Sequence, residues 1–149
     1  FLNYSKNAFQ EIASELTDAQ YDLCETFDIG SNEKIAVIIG VTGKSKGRIM
    51  LQCAAETAEK FAVSMNCGDP LDAVEDKYFY MAEFANMFCG RAVTNINNYF
   101  KQREAWLCPP AIFSGVNLEI ITPTVNSETV YYSGEQGCFM LDIGFEGEN

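Results

Sequence analysis

The sequence predicts an α+β domain made of two pseudo-repeated α-then-β units, with a largely antiparallel sheet and long helices packed together on one side. Three observations predict it. Helical and strand-like periodicities follow one another as helix, strands, two helices, strands. The segment Gly47-Arg48-Ile49-Met50-Leu51 is echoed by Gly137-Cys138-Phe139-Met140-Leu141, each after a polar turn and each closing a helix-then-strands block. The 149 residues, nearly half of them apolar, suffice for a single domain over residues 1–149 whose core needs no disulfide or metal staple.

The elements are justified in chain order. Between Ser5 and Gln20, apolar residues at Ala8, Phe9, Ile12, Ala13 and Leu16 have helical spacing. Tyr21 to Phe27 reads as a short strand. Lys34 to Thr42 and Gly47 to Ala54 form a hairpin around Gly43-Lys44-Ser45-Lys46. Ala55 to Met65 is a second helix, stopped by Asn66-Cys67-Gly68-Asp69-Pro70. Asp69 is placed to cap a short helical stretch with Pro70 in its first turn. That stretch leads to a long third helix, Tyr78 to Phe100. Strands are expected at Ala105 to Cys108, Leu118 to Ile121, Thr129 to Ser133 and Gly137 to Phe145.

Composition excludes several functions. The net charge of −11 repels phosphate backbones, so nucleic acid is not an expected partner. Apolar runs such as Ile35 to Ile39 are far too short to cross a membrane. None of the six cysteines lies in a C-x-x-C pair, and histidine is absent. No metal site is expected, and the cysteines read as small core hydrophobes of a cytoplasmic, reducing environment. Without histidine, catalysis must rest on carboxylates, amides or hydroxyls.

The third helix carries the most informative pattern. At about 100° per residue, Phe84, Ala85, Phe88, Cys89, Ala92, Val93, Ile96 and Phe100 cover one apolar side. Glu83, Asn86, Gly90, Thr94 and Asn97 fall on the opposite side, and Asn95 alone breaks the apolar sector. Glu83 and Asn86 are three apart and therefore neighbours on the surface. Gly90 follows one turn later, and a mid-helix glycine costs about 1 kcal/mol relative to alanine. Close approach of another backbone is one reason to keep it. A polar strip is also what any solvated helix face shows, and E-x-x-N occurs by chance in many proteins.

A wider pattern adds to the strip. Asn86 is followed by 22 residues and then Pro109, within Cys108-Pro109-Pro110-Ala111-Ile112-Phe113-Ser114-Gly115. This glutamate, the asparagine three on and the distant proline resemble the motif of the CheC, CheX and FliY phosphatases. The opening Asn7-Ala8-Phe9 helix is similar to the start of CheX chains. The likeness extends over nearly the whole chain and is specific over Glu83 to Gly115. One departure is Phe79, where the family often has Asp or Ser. The first helix offers only Glu11 and Ser14 at comparable spacing, which implies one active site, as in CheX, rather than two.

The resemblance implies a phosphatase that hydrolyses the aspartyl phosphate of a chemotaxis-type response regulator, a CheY-like receiver domain. Asn86 would orient the attacking water, since an amide both donates and accepts hydrogen bonds. Glu83 would pair with the regulator's lysine. Gly90, Thr94 and Asn97 would contact the partner, and Pro109 would shape a turn. The chain would need no cofactor of its own, because the regulator brings magnesium and phosphoryl transfer chiefly requires positioning and charge stabilisation. A homodimer joined through sheet edges is also implied. The alternative is a non-catalytic module that docks a response regulator or a flagellar switch component. A small-molecule sensor would instead require a chamber among the helices.

Overall fold

The computed structural model describes residues 2–25, 33–44, 46–102, 104–120 and 126–145. Among them are three helices and seven strands: α1 (Leu2–Thr17), β1 (Asp22–Cys24), β2 (Lys34–Gly43), β3 (Gly47–Ala54), α2 (Ala55–Met65), α3 (Asp76–Phe100), β4 (Ala105–Leu107), β5 (Ala111–Gly115), β6 (Asn126–Gly134) and β7 (Gly137–Phe145). All strand pairs are antiparallel. The sheet runs β1-β6-β7-β3-β2, and β4 and β5 both flank β2. The α+β architecture with a largely antiparallel sheet and helices packed on one side is as the periodicities predict.

The internal echo has a structural counterpart. β3 and β7 pair at the middle of the sheet, with Leu51 directly opposite Leu141. These leucines are the equivalent ends of the two echoed segments, so an approximate twofold axis passes between them. β2 then flanks β3 as β6 flanks β7, and β5 closes one side as β1 closes the other. Each half contributes one long helix, α1 or α3.

Alternation along the strands decides which face meets the helices. Ile35, Val37, Ile39 and Val41 of β2, Ile49, Leu51 and Cys53 of β3, and Phe139, Leu141 and Ile143 of β7 all enter one core. The helices answer with aromatic rings. Phe9 of α1, Phe61 of α2 and Phe84 of α3 meet Phe139 at centroid distances of 5.7, 5.4 and 6.0 Å. All four rings are fully buried. Phe9 also stacks on Tyr132 of β6 at 4.5 Å. α1 and α3 run antiparallel, because Tyr4 faces Tyr99 while Glu11 and Glu15 face Arg91.

Gly137 starts β7 at φ +134°, a conformation that L side chains rarely adopt, and an added Cβ would overlap Thr57. That close approach brings α2 onto the β6–β7 turn. At the far end of α3, Lys101 takes a left-handed conformation (φ 55°) and the Gln102 N–H bonds back to the Asn97 carbonyl. The Asn97 side chain completes the joint. Its Oδ1 accepts from the N–H groups of Glu104 (2.8 Å) and Ala105 (3.0 Å), and its Nδ2 donates to the Ala105 carbonyl (3.0 Å). Asn97, expected to meet a partner, is thus half-buried and engaged with β4.

Other expectations are corrected in detail. The short helical stretch expected at Asp69 does not form; residues 69–71 are irregular, 72–75 bend and turn, and the Asp76 carboxylate accepts the Ala73 N–H at 3.1 Å as α3 begins. Leu118 to Ile120 form no strand, Ile121 being outside the described residues, and Ala111–Gly115 pairs with β2 instead. The last residues of the strand expected at Tyr21 to Phe27 also lie outside the described residues, leaving Asp22–Cys24. Only Cys53 and Cys89 are fully buried, whereas Cys67 is exposed in the turn after α2. Burial pushes the Cys53 thiol up to about 12 and raises Cys89 as well.

Three outcomes follow. Phe84→Ala removes a ring shared by all three helices and β7, and should lower the urea-unfolding free energy by about 3–5 kcal/mol. Asn97→Ala should lower it by about 1–3 kcal/mol through unmade bonds to the backbone of the buried residues Glu104 and Ala105, with Asn97→Asp milder because it keeps both acceptor contacts. In native protein a thiol reagent should label Cys67 readily, and Cys53 and Cys89 only after unfolding, as read by mass spectrometry of the labelled peptides.

Candidate functional site

α3 is long enough to serve as a rigid platform, at about 37 Å for its 25 residues. Phe84, Ala85, Phe88, Cys89, Ala92, Val93 and Ile96 are buried and fix its rotation about its axis. Glu83 and Asn86 are consequently exposed, on successive turns of the outward face. The apolar sector read from the sequence is the core-facing side, except that Phe100 is half exposed at the helix end.

Gly90 continues the exposed strip, and a Cβ built there would meet nothing within 4 Å. Its lack of a side chain therefore serves no packing contact within the chain. It leaves a bare patch of helix one turn beyond Asn86. Thr94 is exposed and lines an open groove between α1 and α3 with Glu11, Ile12, Met87, Arg91 and Asn95. The strip thus brings together Glu83, Asn86, Gly90 and Thr94, while Asn97 belongs to the joint with β4.

Pro109 lies in the gap between β4 and β5. The Cys108 N–H donates to the Gly40 carbonyl at 2.8 Å, and pairing with β2 resumes at Ala111 opposite Ile38. Proline has no N–H for a ladder, so Pro109 and Pro110 divide what would otherwise be one edge strand. The double-proline segment interrupts a strand rather than making the turn expected of it. Ser114 at its far end and Glu33 both bond the Tyr78 hydroxyl, and the Glu33 contact, at 2.9 Å, raises the Tyr78 pKa. This ties the first turn of α3 to the sheet edge.

Arg91 was not singled out by the sequence pattern. It reaches back to α1, bonding Glu15 at 3.0 and 3.2 Å and Glu11 at 3.3 Å. The bond to Glu15 raises the guanidinium pKa above its ordinary value. Glu11, the carboxylate of α1 at the spacing of Glu83, is thereby paired within the chain, and Ser14 beside it supplies no amide. Glutamates spaced by four on a helix facing a lone arginine were the available signal. An exposed carboxylate–amide pair on a stiff helix can position a water or a cation on a docked partner, and no group of three or more metal-ligating side chains occurs among the described residues.

The family model for the chemotaxis phosphatase CheX matches residues 35–133, which span β2 through most of β6 and include the whole strip. No curated protein matches the chain in sequence. Solved structures share the fold at low identity. The chemotaxis protein CheX of Vibrio vulnificus is 16% identical with a TM-score of 0.80, over 97% of this chain and 95% of that one. CheX in the CheX–CheY–BeF3–Mg2+ complex of Borrelia burgdorferi is 18% identical with a TM-score of 0.78, over 99% and 98%. FliY of Thermotoga maritima is 16% identical with a TM-score of 0.67, over 94% and 84%. With more than half of its residues matched by the family model, and its fold shared end to end with CheX structures, this chain belongs to the CheX family of chemotaxis phosphatases.

Proposed function

We propose that this chain hydrolyses the aspartyl phosphate of a CheY-like response regulator. Asn86 orients the attacking water and Glu83 pairs with the regulator's lysine. One observation carries the reading. Glu83 and Asn86 are exposed on adjacent turns of a helix locked in rotation, and bare backbone at Gly90 follows. Family membership supports the reaction class, and the Borrelia burgdorferi complex supports a receiver domain as the partner.

The chemistry suits these side chains. An acyl phosphate is already reactive, and the regulator supplies its own lysine and magnesium. What remains is to hold one water in line, which one amide can do by donating to one oxygen and accepting from another. A carboxylate beside the lysine sets the register and replaces lost solvation. In this mechanism the chain contributes no metal or cofactor.

We also propose self-association through a sheet edge. Among the described residues β5 pairs only with β2, leaving its other side open with Ile112 and Phe113 exposed, and the prolines confine pairing to Ala111–Gly115. Sedimentation at micromolar concentration should show a dimer; monomer alone would count against it.

Catalysis and docking separate experimentally. Asn86→Ala should slow stimulated phosphate release on the order of 100-fold while leaving regulator binding nearly intact. Glu83→Lys should weaken binding as well as rate, because it sets a cation against the regulator's lysine. Gly90→Leu should fold normally and lose binding. The measurements are a phosphate-release time course and a titration with beryllofluoride-loaded receiver domain. Unchanged release by Asn86→Ala would sink the mechanism. Binding without stimulated release from any regulator would leave a non-catalytic docking module as the better description.

A further inference from the structure

Phe79 stands out on α3. Its ring is 67% exposed, more than Phe100 or Phe113. It sits one turn before Glu83, so Phe79, Glu83, Asn86 and Gly90 form one row along the helix. Its aromatic contact is with Tyr80, edge-on at 5.9 Å, and not with the core rings. Met87, 37% exposed, follows Asn86 directly. The core side of α3 is already filled, so neither side chain is needed to hold the helix to the sheet.

Geometry makes these groups part of any encounter at the strip. Phe79 is seven residues from Asn86, about 10 Å along the axis at 1.5 Å per residue. A stable interface covers roughly 800 Å² on each partner. A globular domain whose phosphate lies over Asn86 therefore covers about two helical turns to either side, Phe79 and Met87 included. A large ring in that position has two outcomes. Against an apolar surface it loses water and contributes affinity. Against a charged or strongly polar surface it strips solvent from groups that receive no partner in return.

Resting on the assignment of Glu83 and Asn86 as the phosphatase pair, we propose that Phe79, supported by Met87, is the specificity-determining anchor of this chain: it selects receiver domains that carry an apolar surface beside the phosphorylated aspartate. Phe79 takes no part in the chemistry. Its contribution falls on complex formation, and therefore on KM rather than kcat.

The test uses the full chain and a panel of receiver domains, some with apolar and some with charged surfaces next to the phosphorylation site. Titration with beryllofluoride-loaded receivers reads binding, and phosphate release reads turnover. Phe79→Ala should weaken binding of the preferred receiver about tenfold or more and raise KM in parallel, with kcat at saturation nearly kept. Phe79→Leu should recover most of the affinity, and Phe79→Asp should shift preference toward receivers with a less apolar surface. If Phe79→Ala binds its preferred receiver as tightly as the parent, the anchor is disproved while the phosphatase reading stands. If the parent binds receivers in a Phe79-dependent way but never stimulates release, the phosphatase reading fails and the anchor stands. A parent that binds no receiver in the panel overturns both.

Discussion

The meeting of Phe9, Phe61 and Phe84 on Phe139 is the contact on which the rest of the molecule depends. It joins one ring from each helix to the central strand β7, all at centroid distances of 6.0 Å or less. Such rings bury large areas and have preferred relative orientations, so they restrict rotation as well as distance. Phe84 is the residue next to Glu83. Because its ring is held at the centre of the core, the neighbouring carboxylate has only the solvent side available. The exposure of the candidate strip is thus a consequence of core packing, set on the opposite side of the same helix.

Much of this organisation is legible in the sequence, and the failures have physical causes. β3 and α2 are read at their true boundaries because turn residues precede the one and follow the other, while at Ala54–Ala55 strand alternation passes directly into helical spacing. The third helix shows its two sides plainly because a polar row and an apolar row occupy opposite sectors. β5 is missed because four of its five residues are exposed along an edge, which erases the inside–outside alternation. Pro109-Pro110 then reads as the end of regular structure, although pairing with β2 resumes just beyond it. Asn97 falls on the polar side of the wheel, but periodicity carries no information about which polar groups meet backbone. Its role depends on the left-handed turn at Lys101, which brings β4 back under the helix.

The pseudo-twofold arrangement places α1 and α3 in related positions, yet the two outward surfaces differ chemically. On α3 a glutamate and an amide stand free beside bare backbone. On α1 the corresponding glutamate is drawn into contact with Arg91, and a serine occupies the place of the amide. The arginine belongs to α3 and follows Gly90, so the same turn that keeps one surface open closes the other. Symmetry of backbone is therefore compatible with two chemically different surfaces, and side chains decide between the halves.

The interrupted edge has one further consequence. Strands that recruit their own kind into fibrils need long, continuous rows of open amides on both borders of the sheet. Among the described residues one border is β1, three residues long and opposite only residues 131–133 of β6, and the other is divided by two prolines into segments of three and five. Such borders offer short pieces of edge rather than one continuous template for a further strand. Pro109 and Pro110, lacking the N–H that a ladder needs, shorten the row of open amides that this edge presents to another chain.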